Sequence, residues 1–301
     1  MSSTRLLIPH PLQPECLIVG DLERRVPHEP TKGRKLALKV GYWYLRRRVQ
    51  TANTHHRHRD YLFQKRLARA LPMDSFRFDF RGNNETPGAW GLANFPSDVE
   101  DIRAVVAHLT SQGGPFGYSL ELVVAHSRGS VSALKWLCTA EEGRNLGAYV
   151  NVAARFRMEV RMLSYASAYY APDFAAKGYH EWKATVLGKP VSQRVYPSDI
   201  DAFASWDTGY LWTKTPPGVH VLTLQGLADK VVHPYDSILL SQAMSGRTPG
   251  THVLHVVENA DHNFISCFNE VIETILAWWD EKEKGLLKDG IWGAGLGRGK
   301  L

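Results

Sequence analysis

Residues 120 to 134 read LELVVAHSRGSVSAL: an apolar strand-like run, five residues centred on a serine, then a helix-like run. A strand apolar at successive positions is buried on both faces, which requires a parallel sheet with helices above and below. A strand that turns into a helix this abruptly holds its middle residue in a strained conformation. Only small residues two positions either side leave room for the turn, and Ala125 and Gly129 stand there around Ser127. A serine before a helix is also an ordinary N-cap, so Ser127 as nucleophile needs support from the rest of the chain.

The pattern outside this stretch agrees with a mainly parallel sheet. The first 30 residues predict an antiparallel hairpin. RKLAL, SFRFDF, GAYVNVAA, VHVLTLQG and THVLHVVE predict further strands, alternating with helices over YLFQKRLARAL, PSDVEDIRAVVAHLTSQ, SVSALKWLCTA, PYDSILLSQAM and NFISCFNEVIETILAWWDEKEK. The alternation breaks between about residues 154 and 216, an aromatic-rich insertion expected to be helical or loop-like. The glycine-rich segment 285–301 loses too much backbone entropy to fold alone and is expected to be a flexible tail.

A serine hydroxyl is a weak nucleophile without a base. In VENADHNF, His262 follows a strand and precedes the last helix. An acid should orient that base, and LTLQGLADKVVHP offers Asp229 just past another strand, with Asp236 and Asp261 as competitors. The competing readings are a capping histidine and a turn aspartate.

Charge bears on one window. The chain carries a formal +6, and RRRVQTANTHHRHR at 46–59 supplies five arginines and no acid. Basicity concentrated there, rather than spread over a face, argues against a nucleic-acid partner. No apolar run is long enough to span a bilayer and the N-terminus lacks a signal-peptide core, so a soluble, cytoplasmic chain is expected. Cys16, Cys138 and Cys267 suggest neither a disulfide framework nor metal spacing, and are expected to be reduced and packed.

With Ser127, Asp229 and His262 in that order within alternating strands and helices, the sequence resembles the α/β-hydrolase superfamily over about residues 5 to 284. Within it the chain looks most like small intracellular serine esterases of the cinnamoyl or feruloyl esterase and monoacylglycerol lipase type. Those carry a D-x-R-G-x-G-x-S loop, and DFRGNNET matches at Asp79, Arg81 and Gly82, with Asn84 for glycine and Thr86 for serine. The resemblance implies an α/β-hydrolase domain over 1–284 whose insertion at 154–216 is a lid. It implies hydrolysis of a small-molecule ester through a Ser-His-Asp triad and an acyl-enzyme, with the Arg128 N–H in the oxyanion hole and no metal or organic cofactor. Phe156, Tyr169, Tyr170, Trp182 and Trp206 are the lid aromatics expected to line the substrate pocket, or simply to pack the lid. An aminopeptidase-like amide hydrolase uses the same triad.

Relatives of this type place a His-Gly pair after the strand that RKLAL resembles, where it supplies an oxyanion-hole N–H. Here the strand runs instead into KVGYWYLRRRVQTANTHHRHRD, leaving Gly41 and Tyr42 as makeshift donors. Three readings of residues 39–60 follow: a solvated basic loop, a translated non-coding segment, or metal binding by His55, His56 and His58. The second implies a hydrolase-fold protein with impaired or no catalysis.

Overall fold

The computed structural model describes residues 1–41, 60, 62–159, 169–186 and 189–292. Tyr42, His55, His56 and His58 lie outside the described residues.

Strands β1 (Ser2–His10) and β2 (Gln13–Arg24) form the expected antiparallel hairpin. Strands β3 (Lys35–Val40), β4 (Asp74–Phe78), β5 (Ser119–His126), β6 (Ala148–Val152), β9 (His220–Gly226), β10 (His252–Val257) and β11 (Gly290–Trp292) then build the parallel part of one sheet. Its strand order is β1-β2-β4-β3-β5-β6-β9-β10-β11. Helices α2 (Phe95–Thr110), α3 (Arg128–Thr139) and α7 (Tyr235–Met244) cover one face, and α1 (Gln64–Ala70) and α8 (Phe268–Glu283) the other.

Each central strand divides its residues between the two cores. In β5, Val123 and Ala125 join the α2–α3 core while Leu122 and Val124 join the α1–α8 core, which is why the run reads as continuously apolar. Among the described residues no helix is long and apolar enough to cross a membrane. The three cysteines are free thiols, two of them buried.

Four boundaries differ from expectation. Strand β3 continues through Lys39, which is 1% exposed: its Nζ donates to the Gln64 carbonyl at 3.3 Å and approaches Ser75 Oγ at 3.5 Å. At the other end of that window, Asp60 accepts from Arg77 Nε at 2.6 Å and Lys65 Nζ at 2.9 Å, so both ends belong to the fold. The insertion between β6 and β9 carries helices α4 (Ala171–Lys177), α5 (Pro197–Ala204) and α6 (Leu211–Lys214). It also carries an unexpected antiparallel pair, β7 (His180–Val186) with β8 (Lys189–Val195), because the two runs pair with each other and not with the main sheet. The last helix starts at Phe268 instead of Asn263, since Asp261 Oδ1 accepts the Asn263 N–H and the Asp261 carbonyl the Phe264 N–H, forming a turn. Within the glycine-rich tail, Gly290–Trp292 pair with Val253–His255 as β11; there a preformed strand edge supplies the partner that an isolated segment lacks.

Candidate active site

Three loops at the C-terminal ends of β5, β9 and β10 converge. Ser127 sits between β5 and α3 with φ 56° and ψ −124°, a left-handed conformation that costs a non-glycine residue about 1–3 kcal/mol. Its N–H donates to the Val152 carbonyl at 2.8 Å, holding the elbow against β6. Gly129 is required because a Cβ there would stand 2.9 Å from the Val40 carbonyl oxygen, at the end of β3. Ser127 occupies the N-cap position of α3 yet makes no capping bond. Its Oγ lies instead 2.7 Å from His262 Nε2.

His262 Nδ1 is 2.8 Å from Asp229 Oδ2. Asp229 Oδ1 accepts the backbone N–H groups of Val231 (2.7 Å) and Val232 (2.9 Å), and Gln225 Nε2 donates to Oδ2 at 3.3 Å. Burial pushes the Asp229 carboxyl up, but the His262 contact and the two backbone donors outweigh it and hold the group below the usual carboxylate range. A carboxylate that stays charged while buried fixes the Nδ1–H tautomer of His262, leaving Nε2 to accept from Ser127. Asp236 is committed elsewhere, accepting the Arg157 N–H at 2.7 Å and its guanidinium at 3.2 Å, and Asp261 closes the turn after His262.

Arg128 supplies the first backbone N–H of α3, beside the serine. Its side chain is buried, with Nη2 2.9 Å from Asp98 Oδ2 and the guanidinium over the Phe95 ring. Burial disfavours charge on each partner, so the pair depends on this direct contact, reinforced by Ser132 Oγ donating to the same Asp98 oxygen at 3.0 Å. Gly41 follows Val40, which pairs with Ala125 across β3 and β5, and so lies beside the elbow. In the DFRGNNET loop, Asn84 adopts φ 48°, the left-handed region glycine would take, and its side chain donates to Asp79 Oδ2 at 2.9 Å. The Thr86 hydroxyl donates to the Asp79 carbonyl at 2.7 Å and accepts the Val19 N–H at 2.9 Å. The replacements therefore keep the turn closed.

A narrow slot of about 40 Å³ opens beside Ser127 and Arg128. Of the five aromatics singled out in the insertion, Trp182 lines it. Tyr169 and Tyr170 pack with Phe174 and Trp182 inside the insertion, Trp206 packs tilted against Phe95, and Phe156 packs edge-on against Trp212. The slot is completed by Trp90 and Leu92 from the loop before α2, Val131 from α3, Phe203 from α5, and Arg155, Val231 and Val232. Trp90 and Leu92 were findable as bulky apolar residues six and eight positions past Asn84; for Phe203 and Val232 no local signal existed.

Residues 41–270 match the alpha/beta hydrolase family, and the chain belongs to that family. No curated protein matches the sequence. Among solved structures it is similar to a proposed hydrolase from Agrobacterium vitis S4, with TM-score 0.62 at 17% identity over 92% of this chain and 98% of that one. It is also similar to an esterase from Pyrococcus furiosus, with TM-score 0.61 at 14% identity over 94% and 90%. Est1E of Butyrivibrio proteoclasticus, solved with ferulic acid bound, superposes with TM-score 0.59 at 14% identity over 89% and 96%.

Proposed function

We propose that the protein is a serine hydrolase that cleaves carboxylic esters through an acyl-enzyme. The observation that carries this reading is the unbroken relay from Ser127 Oγ through His262 to Asp229, at 2.7 Å and 2.8 Å, on a strained strand-to-helix elbow. His262 Nε2 takes the hydroxyl proton as Ser127 attacks the ester carbonyl, and Asp229 stabilises the imidazolium. The proton then passes to the departing alcohol, and a water activated by the same nitrogen releases the acid. The Arg128 N–H receives the oxyanion, with the Gly41 amide as second donor. The esterases among the structural neighbours, including one holding ferulic acid, support an ester substrate. In this reading the segment between β6 and β9 is a lid, and its Trp182 and Phe203 face the acyl or alcohol group.

A fluorophosphonate probe, which needs an activated serine and an oxyanion hole but little substrate recognition, tests the proposal. The parent chain should label and Ser127→Ala should not, while keeping its fold. Side-by-side turnover of p-nitrophenyl esters and aminoacyl anilides should favour the esters. Because Gly41 stands where relatives have a His-Gly pair, its amide is a makeshift donor and turnover is expected to be slow; complete loss of one oxyanion donor, the upper bound, costs about 10²- to 10³-fold in kcat. Labelling that persists in Ser127→Ala, or that shifts to Ser119 or Ser130, would overturn the assignment.

A further inference from the structure

The residue just before the candidate nucleophile is a second histidine, and it contacts the loop of the first. His126 Nε2 lies 2.9 Å from the backbone carbonyl oxygen of His262, and the two rings are tilted with centroids 5.3 Å apart. A carbonyl oxygen has only lone pairs to offer, so His126 Nε2 must carry the proton and donate it. The ring is 3% exposed, and Phe63 sits edge-on against it at 6.2 Å from the start of α1, leaving His126 little freedom to turn away.

The geometry points to His126 as a positioning residue that ties the loop carrying the base directly to the strand carrying the nucleophile. This rests on the proposed function, and deepens it. The turn from Ala260 to Cys267 is anchored by the Ala228 N–H on the Ala260 carbonyl at 3.1 Å and by Phe264 in the core, but the hydrogen bonds of the His262 side chain itself, to Ser127 and Asp229, both change during catalysis. A clamp that takes no part in the chemistry keeps Nε2 within reach at each stage. Burial, and then the neighbouring His262, pull His126 down to about 3, so the clamp stays neutral and does not oppose the positive charge that forms on His262.

Two substitutions of similar volume separate this from simple core packing. Gln carries an amide nitrogen at about the reach of the imidazole Nε2, whereas Leu fills space without a donor. His126→Leu should lower kcat for a p-nitrophenyl ester, and the fluorophosphonate labelling rate, by about 10²-fold at unchanged KM. His126→Gln should recover most of both. Should His126→Leu fail to fold, His126→Asn takes its place: its shorter amide does not reach the carbonyl, and it should show the same loss. Equal rates in the donor and non-donor variants, whether both normal or both impaired, would overturn the proposal, as would a loss confined to KM. A parent chain that does not label at all overturns the serine-hydrolase reading, and the positioning role with it. A parent that labels, with His126 variants that label equally, removes the positioning role alone.

Discussion

Replacing Lys39 with Met should stabilise the protein, and by an amount that depends on pH in a defined direction. Lys39 lies inside the sheet, with two long polar contacts of 3.3 and 3.5 Å for an ammonium that wants three good acceptors. Burial, followed by the nearby Arg77 charge and only partly countered by Glu23, holds the group well below the usual lysine range. The unfolded chain keeps that proton up to about pH 10.4. Between the lowered folded value and that point the unfolded state binds more protons than the native one, so native stability rises with pH by about 1.4 kcal/mol per unit. It falls by the same slope as pH drops through the window, and below the folded value the full penalty is present. Lys39→Met removes this dependence while filling much the same volume. Urea denaturation of parent and variant from pH 7 to 10.5 measures it. The variant's advantage should shrink by about 1.4 kcal/mol for each pH unit across the window. A gap between the two that stays constant with pH would refute the reasoning, because it would mean that Lys39 binds its proton equally in both states.

Other outcomes follow from the site. Asp229→Asn should leave the fold intact and reduce kcat by about 10⁴-fold, through loss of the carboxylate that sets the His262 tautomer; steady-state ester kinetics check this, and an unchanged rate would remove Asp229 from the relay. Gly129→Ala should destabilise the protein by about 1–3 kcal/mol and slow probe labelling, since its methyl would meet the Val40 carbonyl at 2.9 Å; thermal melts and labelling rates report both. Trp182→Ala should widen the slot of about 40 Å³ and raise the octanoate-to-acetate rate ratio of p-nitrophenyl esters by at least about tenfold, and an unchanged ratio would place the acyl group elsewhere.

What the sequence made legible were features whose physics is local. The elbow at Ser127 is signalled within five residues, because Ala125 and Gly129 answer to steric limits on that very turn. Asp229 and His262 were placed by chain order, each just beyond a strand, and the structure brings their side chains within 2.8 Å. The slot was less legible: Trp90, Phe203 and Val232 come from three separate segments, two loops and helix α5, and only tertiary apposition makes them neighbours. Lys39 read as a break in an apolar strand because its hydrogen-bond partners, Gln64 and Ser75, lie 25 and 36 residues further along the chain. The strand pair β7–β8 was hidden because its partners satisfy each other outside the main sheet.

The three residues of β11 bear on how molecules of this protein behave toward one another. Without them β10 would be the outermost strand, and an unpaired strand is a template on which a second chain can add. Gly290–Trp292 occupy that edge along Val253–His255, and Asp289 extends the cover by accepting the His252 N–H at 2.6 Å and the Gly246 N–H at 2.9 Å. Ile291 is 71% exposed, so its share of this cover comes from its backbone. A chain ending at residue 284 would keep every residue of the serine–histidine–aspartate relay, yet it would leave the backbone of Val253–His255 open along the sheet edge, where a second chain could pair.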